Sequence, residues 1–165
     1  MTSRWMMSML LAAGLLVGAV STSAQQPQTT FTLTALLLGS NETPAPINTG
    51  AFGTATVVVD LVAQTVTYTV NVFNLPSGVT AGHIHVGGPG TSGPTVVNFT
   101  VRPPESNDFT ITGTVPYSQF TMRPDQGIRS PEDMIQAILG GNSYANIHSQ
   151  VNPGGEIRGQ LLIRQ

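Results

Sequence analysis

The chain carries three histidines, and they fall in two short motifs. The first is Gly82-His83-Ile84-His85-Val86-Gly87. Residues i and i+2 of a strand share a face, so His83 and His85 project together while Ile84 and Val86 face the other way. Two imidazoles so placed can chelate one metal ion. The second motif is Tyr144-Ala145-Asn146-Ile147-His148. Parity turns Ala145 and Ile147 inward and Asn146 and His148 outward. All three histidines thus flank an isoleucine and point away from the core-facing side. If the two strands are neighbours, three imidazoles converge, and three neutral nitrogens with an open position suit zinc or copper(II). The plainer alternative is three surface histidines that bond loop carbonyls or titrate in water.

The remaining polar candidates are structural or ligand-orienting: Glu42, Asn146, Glu156 and Arg158. Glu156 and Arg158 lie in Asn152-Pro153-Gly154-Gly155-Glu156-Ile157-Arg158-Gly159-Gln160-Leu161, on one strand face opposite Ile157 and Leu161. They read as a partly buried structural salt bridge or a charged strand face, with a ligand-orienting ion pair as the alternative. Glu42, in Gly39-Ser40-Asn41-Glu42-Thr43-Pro44, can pair with an arginine or bind backbone amides of its Pro-rich loop. No catalytic residue is nominated. There is no Gly-x-Ser-x-Gly and no His-Glu-x-x-His. Carboxylates are too sparse to nominate a glycosidase pair. The Gly-rich stretch 87–93 is not followed by lysine or a helix start, so it reads as a turn rather than a phosphate loop.

The elements that must position these residues are strands. Apolar and polar residues alternate over 30–38, 53–61, 65–73 and 108–115, with Ala55, Val57, Val59 and Leu61 on one face of the second run. Such alternation, rich in Thr and Val, predicts half-buried strands. Weaker strands fit 82–86, 95–101, 143–148 and 155–163. Turn signals separate them, among them Pro76-Ser77-Gly78, Gly87-Gly88-Pro89-Gly90, Pro103-Pro104 and Asn152-Pro153-Gly154-Gly155. The pattern predicts an all-β fold, an antiparallel β-sandwich or barrel of about eight strands. One short helix is expected from Pro131, N-capped by Ser130, carrying Met134, Ile135, Ile138 and Leu139, and stopped by Gly140-Gly141. It should plug one end of the sheet or cover an edge.

Composition narrows the chemistry further. The chain has 165 residues, no cysteine and no lysine. That removes thiol catalysis, thiolate metal sites and Schiff-base chemistry. Arg4 precedes an apolar run from Met6 to Val20, followed by Ser21-Thr22-Ser23-Ala24. This predicts a secretory signal over 1–24, a short linker over 25–29, and a single domain over 30–165. The expected product is secreted or periplasmic, with no membrane span after cleavage. It would hold five arginines against eight carboxylates, a balance with no electrostatic footprint for nucleic acid.

Taken in order, several segments resemble the CHRD domain, the module named after chordin and also found in exported microbial proteins. They are Leu37-Leu38-Gly39-Ser40-Asn41-Glu42-Thr43-Pro44, Gly53-Thr54-Ala55-Thr56-Val57, Val79 to Gly87 with Gly93-Pro94, Tyr144 to His148, and Pro153 to Gln160. Ala45 separates two prolines that are usually adjacent, and Ser149 stands where a Thr usually follows the last histidine. The resemblance implies an immunoglobulin-like or superoxide-dismutase-like β-sandwich and supplies no reaction. A dismutase would need more ligand histidines and a disulfide, so that activity is not carried over. The leading expectation is a non-enzymatic extracytoplasmic binding or structural module, with an extracellular protein or surface ligand as partner. The second is a copper or zinc protein using His83, His85 and His148. The third is a metal-dependent enzyme at the same site.

Overall fold

A computed structural model describes residues 27–102 and 106–164. The expected signal over 1–24 and the Pro103-Pro104 turn lie outside the described residues. The strands are β1 (Thr30–Leu38), β2 (Phe52–Asp60), β3 (Thr65–Phe73), β4 (Val79–Val86), β5 (Thr95–Asn98), β6 (Phe109–Pro116), β7 (Ser143–Ser149), β8 (Ile157–Gln160) and β9 (Leu162–Ile163). They form one antiparallel sheet in the order β5-β4-β7-β8-β1-β2-β3-β6, with β9 beside β1. The sheet curls into a nearly closed barrel.

Alternation builds the barrel interior. Leu33, Leu37, Val57, Val59, Val66, Val70, Val72, Ile84, Ile147 and Ile157 are fully buried in one core. Polar residues of β2 and β3 face out, and Thr67 bonds Thr114 across strands (2.9 Å). The gap between the end strands is bridged from inside. The Tyr68 hydroxyl of β3 accepts from the Thr100 amide (2.8 Å), its ring packs on Phe99 (4.3 Å between centroids), and the Thr121 amide donates to the Val96 carbonyl (2.9 Å).

Leu61 does not continue the inward face of β2. That strand ends at Asp60, whose Oδ1 accepts from the amides of Val62 and Ala63 (2.9 and 2.8 Å). This side-chain turn folds the chain back and leaves Leu61 exposed. The expected strand over 155–163 is two pieces, because Leu161 leaves the ladder to bury its side chain while its amide bonds the Ser143 carbonyl (2.9 Å).

Helix α1 spans Pro131–Leu139. Ser130 accepts from the Asp133 amide (3.1 Å) and Asp133 accepts from the Ser130 amide (3.0 Å), a reciprocal capping box. Met134, Ile135 and Ile138 sink into the core, and the helix packs against β4.

Strand β7 differs from the rest. All seven of its residues are buried, so both its faces are covered. Ala145 and Ile147 enter the barrel core, and loops overlay the outer side chains of Tyr144, Asn146 and His148. Truncating Ile147 to alanine should destabilise the protein by about 2–5 kcal/mol, the usual cost of a core Ile→Ala, measured as a lowered urea midpoint.

A candidate three-histidine metal centre

Register brings the two histidine motifs together. Strands β4 and β7 are adjacent, with His83 opposite Asn146, His85 opposite Tyr144 and His148 opposite Ala81. The imidazoles therefore form one cluster on the outer wall of the barrel. Their candidate ligand nitrogens all lie within 4.8 Å of one another. The ring centroids of His83 and His148 are 4.9 Å apart, and those of His83 and His85 5.3 Å.

Loop carbonyls set the tautomers. His85 Nδ1 lies 2.9 Å from the Gly93 carbonyl oxygen, and His148 Nδ1 lies 2.9 Å from that of Pro153. A carbonyl only accepts, so both Nδ1 atoms carry the proton and both Nε2 atoms keep a lone pair. His148 Nε2 therefore accepts from His83 Nδ1–H (3.1 Å), a proton that an ion held by both nitrogens would displace. His85 Nε2 is buried with no hydrogen-bond partner. An orphaned buried nitrogen is uncommon and calls for an explanation.

Burial keeps the cluster neutral. It pushes the His83 imidazole down to about 4, with help from His148 and His85, and lowers His85 and His148 as well. Nitrogens free of protons are what a metal needs. Two nitrogens bound tetrahedrally at about 2.0–2.1 Å from one ion lie about 3.3 Å apart, so the His83–His148 spacing already matches a ligand pair. The orphaned Nε2 of His85 completes the set. The residues fit a zinc or copper(II) ion.

The surroundings hold the cluster in place. His85 stacks on Tyr144 (4.8 Å, 6° between planes), and the Arg158 guanidinium lies 3.4 Å from the Tyr144 ring centre. Tyr144 thus stands between His85 of β4 and the cation of Arg158 on β8. Its hydroxyl accepts from the Gly93 amide (3.1 Å), which fixes the carbonyl that orients His85.

Parity holds for Asn146 and His148, while the expected Glu156–Arg158 salt bridge gives way to other bonds. Asn146 and His148 leave the barrel core as parity requires, yet they are 2 % and 8 % exposed, because the loops after β1 and β7 cover them. Arg158 and Glu156 are likewise buried, at 3 % and 0 % exposed, and they bond other groups instead of each other. Arg158 donates to Thr43 Oγ1 (2.6 Å) and to the carbonyls of Thr91 (2.6 Å) and Gly88 (3.3 Å), tying two loops to the wall. Glu156 accepts from Ser149 and Asn152, both at 2.6 Å. Glu42 accepts from Asn146 Nδ2, which also donates to the Ile157 carbonyl (3.2 Å). Burial raises the Glu42 carboxyl to about 7, against the pull of Asn146 and Arg158. A Cβ at Gly155, which sits at φ 144, would stand 2.8 Å from both Glu42 oxygens. Only glycine lets the loop close over this carboxylate.

A family model of the CHRD domain matches residues 33–161. The chain belongs to the CHRD domain family. None of the curated proteins and none of the solved structures compared with it matches. The match spans both histidine motifs and the Gly-Glu-Ile-Arg-Gly segment of this CHRD domain, so the cluster lies inside the family unit. Sequence reasoning missed Tyr144 as the side chain that supports His85. The aromatic directly before the Ala-Asn-Ile-His run was its signal.

The histidine shifts fix a pH dependence. A folded-state pKa below the unfolded value of about 6.5 means that the unfolded chain binds more protons as pH falls from 6.5 towards 4, so acid favours unfolding. Glu42 acts oppositely between about 4.5 and 7, because its raised carboxyl binds a proton in the folded state first. The melting temperature of the metal-free protein should therefore drop from pH 7 to pH 5, and should drop further in Glu42→Gln. A flat profile for both proteins would contradict the burial of these imidazoles.

Proposed function

We propose that this CHRD domain is an exported metal-binding module that holds one copper or zinc ion between His83, His85 and His148. The observation that carries this reading is the buried, unpartnered Nε2 of His85, beside a His83–His148 nitrogen pair already at ligand spacing. The Nδ1–H bonds to Gly93 and Pro153 support it, because ligand histidines are oriented by acceptors on their other nitrogen. Among divalent ions, imidazole nitrogen favours copper over zinc. Among the described residues no helix is long and apolar enough to cross a membrane, which agrees with a product released after signal cleavage.

The reading keeps the protein a binding module, with the metal as its ligand, and assigns no turnover. Three protein ligands leave a coordination position open, the condition for catalysis at a metal, so chemistry at the same ion is the second reading. It would be distinguished by turnover that requires the metal.

Calorimetric titration with copper(II) and zinc(II) tests the proposal. One ion per chain is expected, lost in His83→Ala/His85→Ala and weakened at least about 100-fold in His148→Ala, as removal of a direct ligand should exceed the 10–100-fold typical of outer partners. Metal should also raise the melting temperature of the native protein alone. Unchanged binding in the histidine variants would refute the site.

A further inference from the structure

The charges around the histidine cluster are lopsided. All its candidate ligands are neutral imidazoles, and among the described residues no carboxylate belongs to the group. Glu42 is engaged by Asn146, and Glu156 by Ser149 and Asn152. The charged side chains that do reach the cluster are cations. Arg158 lies over Tyr144, which stacks on His85. Arg123 arrives from the segment after β6, and its Nε donates to the Thr95 carbonyl (3.0 Å). Thr95 is the register partner of His85, so Arg123 is bonded to the strand that neighbours His85.

A divalent ion placed here would bring two positive charges into a half-buried site already flanked by two arginines. Removing charge from water without compensation is costly. Among the described residues no carboxylate joins the ligand group, which leaves the ion's charge to be balanced at its open position.

We infer that the ion's open coordination position takes a small inorganic anion, with Arg123 as the residue that positions it. This rests on the metal-binding reading. Arg158 is a poorer partner, because its terminal nitrogens are committed to Thr43, Gly88 and Thr91. The bond from Arg123 to Thr95 uses Nε, and among the described residues neither terminal nitrogen has an acceptor. Arg123 is also only half buried, so an anion can approach it from solvent. Arg123 and Arg158 are both cations, and the field of a positive pair attracts an anion.

Azide is the probe. The purified protein is loaded with one equivalent of copper(II) and titrated with sodium azide at constant ionic strength, followed by visible absorption. A charge-transfer band saturating at one azide per copper is expected. Arg123→Gln should weaken azide binding about fivefold, the scale of one partly exposed charge contact, while copper stoichiometry stays at one. Arg123→Lys should retain most of the affinity. Arg164→Gln, on an exposed residue whose amide bonds Thr32 of β1, should change nothing. Copper binding without an azide band would overturn the anion site and leave the metal site standing. A band whose strength ignores Arg123→Gln would overturn the role given to Arg123. Absence of copper binding would remove the metal reading itself, and the anion site with it.

Discussion

Strand β7 is buried on both faces, and most of the site follows from that constraint. One face is ordinary, with Ala145 and Ile147 inside the barrel. The other carries Tyr144, Asn146 and His148, whose polar atoms must be matched once water is excluded. Each finds its partner on a different covering loop: Gly93 for Tyr144, Glu42 for Asn146, Pro153 for His148. The loops in turn are tied back by Arg158 and Glu156. The outcome is a second, polar layer outside the hydrophobic core, with the imidazoles at one end.

This layer explains the local sequence. Glycines stand where the loops approach closely, as at Gly155 over Glu42. Carbonyls of Gly93 and Pro153 meet imidazole N–H groups, so the protein fixes the histidine tautomers with backbone atoms. That arrangement directs the remaining lone pairs into a shared space.

Much of the fold was legible in the sequence. The period-two runs over 30–38 and 65–73 are β1 and β3 to the residue, and Ser130-Pro131 with Gly140-Gly141 bounds α1. The resemblance carried by the two histidine motifs and Gly155-Glu156-Ile157-Arg158-Gly159 pointed to the CHRD family, which the match over 33–161 establishes. The convergence of His83, His85 and His148 was conditional on strand adjacency, which no local pattern encodes; the β4–β7 register supplies it. The depth of the site was not legible. Alternation says which side of a strand faces the core, and it is silent on whether loops cover the other side. Asn146 leaves the core as its parity indicated, and only the fold shows the loop that buries it. The pairing of Glu42 with Asn146 spans 104 positions and depends wholly on tertiary placement.

The central claim is that three imidazoles share one ion. Pulsed electron paramagnetic resonance on the protein loaded with one equivalent of copper(II) tests it most directly, because the remote nitrogen of each bound imidazole modulates the signal. The account predicts three coordinated imidazoles, falling to two in His148→Ala. A copper signal with one imidazole or none, unchanged by His148→Ala, would place the ion elsewhere and contradict it.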